Sequence, residues 1–435
     1  MIEKKLKIVW ICHFSNTIVR EHIKFSRLYF KRTLSRLFVG QKRGCEDFAI
    51  WVTNAIHEFE KYDDIDLTII FPHMGIKGKT QFFSVNNIQY RVYRSEDDYF
   101  LSFMCSKLFG KIQKDYFKDR KLITSWIDEI SPDIVHIIGA ENPYYSIVAL
   151  DIPHTIPTVV SLQTLMSTPD FSKNYPINKK IYTYRSLIEQ KIIHNCNYIA
   201  SRVDKFRKII KESINPSAIF LQMPLALGQD IFNMDVKKEY DFVYFAANIS
   251  KAADYAVESF ALAHKKYPYI TLNISGGYTL DYKKKLDKRI EELNLLGNVF
   301  FSGPQPTHES VLKQISKSRF ALLPLKIDLI SGTIREAMAC GLPVVTTKTP
   351  STPKLNSKQE SILLSERGDF LAMANNMIRL IEDESFSEQL RKNAIITINE
   401  RYSNSAFMQK WHKGYYEIID NFKTGKAFSA EIACN

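Results

Sequence analysis

The sequence has few of the features that mark several large classes of protein. Its six cysteines are scattered and form no Cys-x-x-Cys pair, which argues against a disulfide framework and against a zinc site. No run of about 18 apolar residues occurs, so a membrane-spanning helix is not predicted. The opening run MIEKKLKIVWICHF enters an apolar strand too early for a signal peptide. These absences favour a cytoplasmic protein, and any contact with the inner face of the membrane would be peripheral.

Positive charge is in excess, and its distribution narrows the choice of partner. A net charge of +12 suits nucleic acid, an anionic membrane or phosphorylated small molecules. No RNP-like strand, helix-turn-helix or zinc motif is present, so nucleic acid is not an expected partner. Residues 22–44 carry seven Lys and Arg, interleaved with aromatic and aliphatic residues and without an acid. If this segment is a helix, its basic and aromatic sides predict binding to an anionic membrane surface. An ordinary surface helix whose apolar side packs against the core is an equal alternative.

Short apolar runs alternate with helical patterns along the chain, which is typical of doubly wound α/β domains. A weakly patterned stretch at 222–230 interrupts the rhythm and marks a boundary. We therefore predict an N-terminal Rossmann-like domain at 1–228, a second at 229–402, and a C-terminal helix at 403–435 that crosses back to the first. The predicted strands are Lys7–Cys12, Leu67–Phe71, Ile134–Ile138, Thr158–Leu162, Tyr198–Ser201, Asp241–Ala246, Ile270–Ile274, Val299–Phe301, Phe320–Leu325 and Val344–Thr347.

One segment combines two carboxylates with a small-residue turn. Asp328 and Glu336 are eight positions apart and flank Ser331-Gly332-Thr333, which precedes a short helix. A helix that begins near Thr333 would present unpaired N–H groups that suit a phosphate, and one of the two carboxylates could then hold ribose hydroxyls. A capping box, in which Glu336 bonds back to the start of the helix, is the structural alternative.

This segment continues as Ala-Met-Ala-Cys-Gly-Leu-Pro-Val-Val and resembles the donor-binding segment of retaining GT-B glycosyltransferases of family 4. The likeness extends over most of the second half, and Ser131-Pro-Asp-Ile-Val-His-Ile-Ile-Gly139 is similar to a strand of the family's first half. The resemblance implies a GT-B architecture, with two Rossmann-like domains facing across a cleft. It also implies a nucleotide-diphosphate sugar as donor substrate, with a UDP-sugar favoured, and no cofactor or metal.

The resemblance also implies roles for individual residues. Those expected to act on the leaving group, the ribose or the donor sugar are Asp328, Glu336, Lys251 and Gln163. Those expected to bind the rest of the donor are Ser331, Gly332, Thr333, Asn248, Gly276, Gly277 and Arg335. The acceptor side is expected at His13, Ser15, Asn16 and Glu141, which follow the first and third predicted strands.

The sequence departs from the family pattern at three places. Asp328 stands where the family has Glu, and Gln163 stands where many members carry His. The Arg that usually accompanies the phosphate-binding Lys251 has no counterpart, so Asn248 or Arg335 would substitute for it. A Gln cannot act as a base but can bond a sugar hydroxyl, which favours a changed sugar preference over inactivity.

The predicted function is a retaining hexosyltransferase. It would move a sugar from a nucleotide-diphosphate sugar to a glycan or lipid-linked acceptor in surface polysaccharide biosynthesis. A catalytically inactive nucleotide-sugar-binding subunit and a GT-B nucleotide-sugar epimerase are the alternatives. A further histidine, His136, lies inside an apolar strand and is predicted to be a core residue rather than a site residue.

Overall fold

The chain forms two compact α/β units in a computed structural model that describes residues 5–26, 47–95, 115–168, 171, 179–201, 203–223, 231–232, 234–326 and 332–434. Unit 1 comprises Met1–Ser35, Ala49–Ala226 and Phe407–Asn435, and unit 2 comprises Arg36–Phe48 and Leu227–Ala406. Asp328, Ser331 and most of the basic segment 22–44 lie outside the described residues.

The sheet of unit 1 has the strand order β3-β4-β2-β1-β5-β6-β7-β8. All neighbouring strands are parallel except β3 and β4, which form an antiparallel hairpin. The turn of this hairpin is Asn86-Asn87, and both residues have positive φ, as two-residue hairpin turns require. The strands are β1 (Leu6–Ile11), β2 (Ile65–Pro72), β3 (Thr80–Val85), β4 (Ile88–Tyr93), β5 (Ile134–Ile138), β6 (Thr158–Ser161), β7 (Tyr198–Ala200) and β8 (Ile219–Leu221).

Helices connect the parallel strands of unit 1. Their apolar faces and the central strands form one buried cluster that includes Val9, Trp126, Val160 and Ile192. The helices are α1 (Thr17–His22), α2 (Ile50–Phe59), α3 (Phe117–Ile130), α4 (Pro143–Ser146), α5 (Lys179–Asn195) and α6 (Asp204–Ser213).

The sheet of unit 2 is parallel throughout and has the strand order β11-β10-β9-β12-β13-β14. This is the order of a doubly wound nucleotide-binding sheet, whose winding direction reverses between its first and fourth strands. The strands are β9 (Tyr240–Asn248), β10 (Leu272–Gly277), β11 (Val299–Gly303), β12 (Ser318–Leu323), β13 (Val344–Thr347) and β14 (Leu363–Ser365). The helices are α7 (Ala253–Lys266), α8 (Leu280–Glu292), α9 (His308–Ile315), α10 (Gly332–Ala339), α11 (Phe370–Glu382) and α12 (Glu384–Arg401).

The last helix, α13 (Asn404–Thr424), has three aromatic residues that are buried in unit 1, Phe407, Trp411 and Tyr415. Trp10 Nε1 donates a hydrogen bond to the Tyr415 hydroxyl at 2.8 Å, and that hydroxyl lies 2.6 Å from His136 Nδ1. His136 Nε2 lies 2.7 Å from the hydroxyl of Ser161. Burial lowers the pKa of His136 to about 3, so the imidazole is neutral and is a fully partnered core residue, as predicted.

The α/β class and both parallel sheets that the sequence predicts are confirmed. The strands predicted in both halves coincide with observed strands, with their ends shifted by a few residues. Four strands were not predicted, namely β3, β4, β8 and β14. Within the described ranges, no helix is both long and apolar enough to cross a bilayer.

Candidate active site

The carboxyl ends of β9 and β12 mark the point in unit 2 where the strand order reverses, and open α/β sheets bind ligands there. β9 ends at Asn248, whose side chain is exposed, and a single 3-10 turn, Ile249–Lys251, leads into α7. The Lys251 side chain reaches solvent and has no hydrogen-bond or ion-pair partner among the described residues. Nearby protein removes part of its hydration, which lowers the pKa of its ammonium. Lys251 is therefore a cation available to a ligand at this edge.

A second lysine follows β12, and the sequence analysis missed it. Lys326 donates a hydrogen bond to the carboxylate of Asp254 near the start of α7, and its ammonium lies 4.7 Å from the ring centroid of Tyr255. An ion pair of this kind already neutralises the Lys326 charge, whereas Lys251 has no such partner in the described part of the chain. The only signal in the sequence is the position of Lys326 directly beyond an apolar strand.

Glu336 lies in α10 and contacts a histidine from the preceding helix. Its Oε1 is 3.2 Å from His308 Nε2, and both side chains are about one fifth exposed, at 18% and 20%. His308 is the first residue of α9, and its backbone N–H donates to the carboxylate of Asp47 at 3.3 Å. Burial acts to lower the pKa of His308, but the hydrogen bond and charge of Glu336 and the charge of Asp47 outweigh it, so the pKa is raised.

The start of α10 follows the turn that the sequence predicts to bind a phosphate, and that role stays a prediction. The helix begins at Gly332, and the first N–H groups of an α-helix have no acceptor within the helix itself. Glu336 is the fifth residue of the helix, which is too far along for the alternative of a capping box. The carboxylate is instead directed to His308.

Gly276 and Gly277 are the last two residues of β10, and there is little room for a side chain at either position. Gly276 has a φ of +138°, and a Cβ built on it would lie 1.9 Å from the carbonyl oxygen of Ala246 in β9. A Cβ on Gly277 would lie 3.0 Å from the carbonyl oxygen of Ala247. The two strands approach closely here, where the pairing of β9 and β10 changes register. The predicted contact of these glycines with the donor stays a prediction.

Arg335, a suggested substitute for the missing phosphate-binding Arg, contacts an aromatic ring. Its guanidinium lies 4.6 Å from the ring centroid of Tyr402, which caps the end of α12. Arg401 contacts the same ring at 5.2 Å. The Arg335 guanidinium is therefore near Tyr402, and its proposed contact with the donor phosphate stays a prediction.

In unit 1 the predicted acceptor residues follow β1. The His13 ring contacts Tyr144 through a hydrogen bond of 2.5 Å between Nδ1 and the hydroxyl. Burial and, secondarily, the neighbouring His73 lower the pKa of His13 to about 4. Asn16 caps α1 by accepting from the Val19 N–H at 2.8 Å, and the Ser15 hydroxyl accepts from Arg20 at 3.0 Å. His73 and Arg20 are members of this group that the sequence analysis missed.

Glu141 and Gln163 meet at the carboxyl ends of β5 and β6. A Cβ built on Gly139, which has a φ of +97°, would lie 2.9 Å from Gln163 Nε2 and 3.0 Å from Glu141 Oε1. Gln163 Nε2 donates to the Ile138 carbonyl at 3.3 Å. Glu141 accepts from the Asn142 amide at 3.0 Å, while its Oε2 is buried with no partner among the described residues. Burial raises the pKa of Glu141.

The loop that contains Gln163 is held by hydrogen bonds to a buried carboxyl group, which the sequence analysis also missed. Glu189, fully buried in α5, accepts from the N–H groups of Met166 at 3.0 Å and Ser167 at 3.2 Å. Burial raises the pKa of Glu189 to about 8 despite these hydrogen bonds. Over the part of the chain that the structure describes, no group of three His, Cys, Asp or Glu residues is arranged to hold a metal ion.

The segment that contains these unit 2 residues is similar to known proteins. Residues 229–397 match the model of the family described as glycosyl transferases group 1. Over 137 residues the chain is 25% identical to N-acetyl-alpha-D-glucosaminyl L-malate synthase of Bacillus anthracis, a match that covers 32% of this chain and 35% of that protein. The chain thus spans less than half the length of the curated relatives it matches.

Solved structures resemble the chain over nearly its whole length. Sucrose-phosphate synthase from Thermosynechococcus elongatus has a TM-score of 0.68 at 13% identity, covering 95% of this chain and 99% of that one. HepE from Anabaena, in complex with UDP and glucose, has a TM-score of 0.62 at 13% identity, covering 95% and 100%. At this identity the likeness shows the fold. Each unit therefore has the Rossmann-like fold of a GT-B domain, and residues 229–397 are similar to the glycosyl transferases of group 1.

Proposed function

We propose that the protein is a retaining hexosyltransferase of family 4 that uses a nucleotide-diphosphate sugar, with a UDP-sugar favoured, and no metal. The proposal depends on one observation, the hydrogen bond between the Glu336 carboxylate and His308 near the start of α10. Both residues lie in the segment that matches the family model. A carboxylate in that position accepts hydrogen bonds from ribose hydroxyls, while the helix amides bind the diphosphate.

Lys251 supplies the positive charge that such a reaction needs. Its ammonium lies beyond β9 and would neutralise the diphosphate as it leaves. The donor site beside it would also include Asn248, Gly276, Gly277 and Arg335. Ser331 and Asp328, which lie outside the described residues, would belong to the same site on the basis of the sequence. The reaction would then depend on the positioning of the two substrates and on stabilisation of the leaving group. It would need no strong base, which is consistent with Gln163 in place of a histidine.

The acceptor is proposed to bind unit 1 at His13, Ser15, Asn16 and Glu141, and to be a glycan or lipid-linked precursor of a surface polysaccharide. Residues 22–44 would bring the enzyme to an anionic inner membrane surface. Vesicles of phosphatidylglycerol and phosphatidylcholine test this part of the proposal. Binding that is salt-sensitive and lost on replacing Lys31, Arg32 and Arg36 with Glu supports it, and binding that survives the replacement contradicts it.

A thermal-shift panel of UDP, GDP, ADP and CMP tests the donor site. A ligand that binds only the folded state raises the unfolding midpoint with the logarithm of its concentration. We expect UDP to raise the midpoint of the parent and of Glu366→Ala, an exposed carboxylate of the same unit, but not that of Glu336→Ala. A shift that persists in Glu336→Ala would contradict the assignment of the ribose site.

Turnover separates the enzyme from its alternatives. Incubation with UDP-glucose, with and without EDTA, should release UDP when a suitable acceptor is present, and EDTA should not change the rate. Binding of UDP without any turnover would favour the inactive subunit, and a change in the sugar of the recovered nucleotide without acceptor would favour an epimerase. Retention is tested by the anomeric configuration of the product in its NMR spectrum.

A further inference from the structure

Strand β3 (Thr80–Val85) is an edge of the unit 1 sheet, and its outer side has no pairing strand among the described residues. The opposite edge, β8, is covered, since a bridge joins Leu221 to Ala433 and the Gln222 N–H donates to the Ile432 carbonyl at 2.7 Å. An uncovered edge presents a row of backbone donors and acceptors, which is a template for a further strand. The sheet of unit 1 can therefore be extended at β3.

The geometry of the β3–β4 hairpin shows which backbone groups point outward. The two-residue turn Asn86-Asn87 is closed by Val85 and Ile88, which form a hydrogen-bonded pair in a hairpin of this kind. Hydrogen-bonded pairs alternate with non-hydrogen-bonded pairs along an antiparallel ladder, so every second residue of β3 directs its N–H and C=O groups away from β4. These outward-facing residues are Thr80, Phe82 and Ser84. No described residue donates to or accepts from their outward backbone groups.

Strand β3 lacks the features that normally protect an edge strand from pairing. Its six residues, Thr-Gln-Phe-Phe-Ser-Val, include no charged residue and no proline, and its pairing with β4 contains no bulge. The Phe82 side chain is 59% exposed, although its ring contacts that of Trp126 with the centroids 5.4 Å apart. An uncharged edge strand with an exposed apolar ring at its middle is the kind that pairs with another chain.

The outer side of β3 is complementary to a second copy of itself. Its outward-facing residues are evenly spaced on either side of Phe82, so a twofold axis would place Phe82 of one copy opposite Phe82 of the other. Thr80 of each copy would then lie opposite Ser84 of the other, and all of these residues would form hydrogen-bonded pairs. Aromatic side chains that are directly opposite across two strands stabilise the pairing.

Charges beyond the ends of β3 fit the same arrangement. The ladder with β4 continues to the exposed Lys79, whose carbonyl accepts from the Arg94 N–H at 2.8 Å. Beyond the other end, the Glu60 carboxylate accepts from the Asn86 side chain at 3.2 Å. Because the two strands would run in opposite directions, Lys79 of each copy would approach Glu60 of the other. One end of the strand is basic and the other is acidic, which favours an antiparallel pair of identical strands.

We propose that two copies of the protein associate through antiparallel pairing of their β3 strands about Phe82, which joins the two unit 1 sheets into one. Backbone hydrogen bonds supply the attraction, the paired Phe82 rings form an apolar centre, and Lys79 with Glu60 favours the antiparallel direction. This contact does not depend on the proposed function, because its residues lie in unit 1 and belong to neither the donor site nor the acceptor site.

Sedimentation velocity of the full-length protein over a range of concentrations tests the proposal. The mass of the parent should rise from that of one chain to that of two. Phe82→Lys would place two ammonium groups at the twofold axis and should remain monomeric. Phe117→Lys, the same change at an exposed phenylalanine of α3, is the matched control and should associate as the parent does. A parent that is monomeric throughout, or a Phe82→Lys protein that associates as the parent does, overturns the proposal.

Two double variants test the register of the pairing. Thr80→Lys with Ser84→Lys places like charges opposite each other on both sides of the axis and should weaken association about tenfold or more. Thr80→Lys with Ser84→Glu places opposite charges at the same positions and should associate about as tightly as the parent does. Circular dichroism confirms that each variant is folded. Equal association of the two double variants would overturn the pairing about Phe82.

Hydrogen exchange identifies what covers the edge. The outward N–H groups of Phe82 and Ser84 should exchange quickly in dilute protein and slowly at concentrations at which the dimer forms. Protection of these groups in a protein with the mass of one chain would mean that another part of the same chain covers β3, which overturns the proposal. Phe82→Lys should bind UDP as the parent does, so the loss of UDP binding in Glu336→Ala tests the proposed function separately.

Discussion

Nε2 of His308 lies 3.2 Å from Oε1 of Glu336 and links the first residue of α9 to the carboxylate of α10. The bond fixes the orientation of the carboxylate that we assign to the ribose, and it leaves Oε2 of Glu336 to accept from a ligand. His308 thus acts through Glu336 as a positioning residue. The raised pKa of His308 makes the pair sensitive to pH.

The first prediction concerns the stability of this pair. Because the pKa of folded His308 is raised above its ordinary 6.5, the stability it contributes is present below pH 6.5 and is lost as pH rises through the folded pKa. The contribution should be about 1 kcal/mol, since both groups are partly exposed. Urea unfolding of the parent and His308→Gln should therefore differ more at pH 5.5 than at pH 8.5.

The same pair of measurements in a Glu336→Gln background is the control for that prediction. Without the carboxylate, His308→Gln should show little dependence of its effect on pH. An equal dependence in both backgrounds would mean that Asp47, the other acid acting on His308, is the dominant partner.

The second prediction tests the close approach of β9 and β10. Gly276→Ala should lower the free energy of unfolding by about 2 kcal/mol or more, because its Cβ would overlap the Ala246 carbonyl oxygen and its φ is positive. Gly297→Ala is the matched control, since a Cβ there meets nothing within 4 Å. Chemical unfolding of both variants measures the difference, and equal stabilities would show that the strands separate easily at this point.

The third prediction concerns the carboxyl group behind the Gln163 loop. Since the pKa of folded Glu189 is raised to about 8, its contribution to stability is greatest near pH 4.5 and falls as pH rises through 8. Glu189→Gln cannot ionise, so the stability lost by this variant should be largest at pH 5 and should shrink toward pH 8.5. Urea unfolding across this range measures it, and a constant difference would show that Glu189 does not titrate there.

The sequence was sufficient to predict the repeated strands because each central strand is buried on both faces and reads as an apolar run, as in Ile134–Ile138. The edge strand β3 of the hairpin was not predicted because none of its residues is buried, so it is not an apolar run, and its adjacent Phe82 and Phe83 interrupt any alternation of polar and apolar residues. Strands β8 and β14 have three residues each, which is too short for a periodic pattern.

Candidate site residues could be named from the sequence where one loop contains several of them, as around Glu336, and their roles stay predictions. Their contacts were not predictable where partners come from different loops. His308 and Glu336 are 28 residues apart, and their contact depends on the packing of α9 beside α10. Glu141 and Gln163 come together because β5 and β6 are neighbours, and strand order is a property of the whole fold.

The last prediction concerns the buried chain of hydrogen bonds in unit 1. With His136 neutral, Trp10 Nε1 donates to Tyr415, the Tyr415 hydroxyl donates to His136 Nδ1, and His136 Nε2 donates to Ser161. Tyr415→Phe leaves the Trp10 donor and the His136 acceptor buried without partners, which should cost about 2 kcal/mol.

Tyr416→Phe on the same helix is the control for Tyr415→Phe. Its hydroxyl donates to Asp64 at 2.7 Å from an exposed side chain, so the loss should be about 0.5 kcal/mol because water replaces the bond. Guanidinium unfolding of the two variants measures the difference. Equal losses would mean that water or a shifted His136 satisfies the buried groups, and the chain from Trp10 to Ser161 would then contribute no more stability than a surface bond.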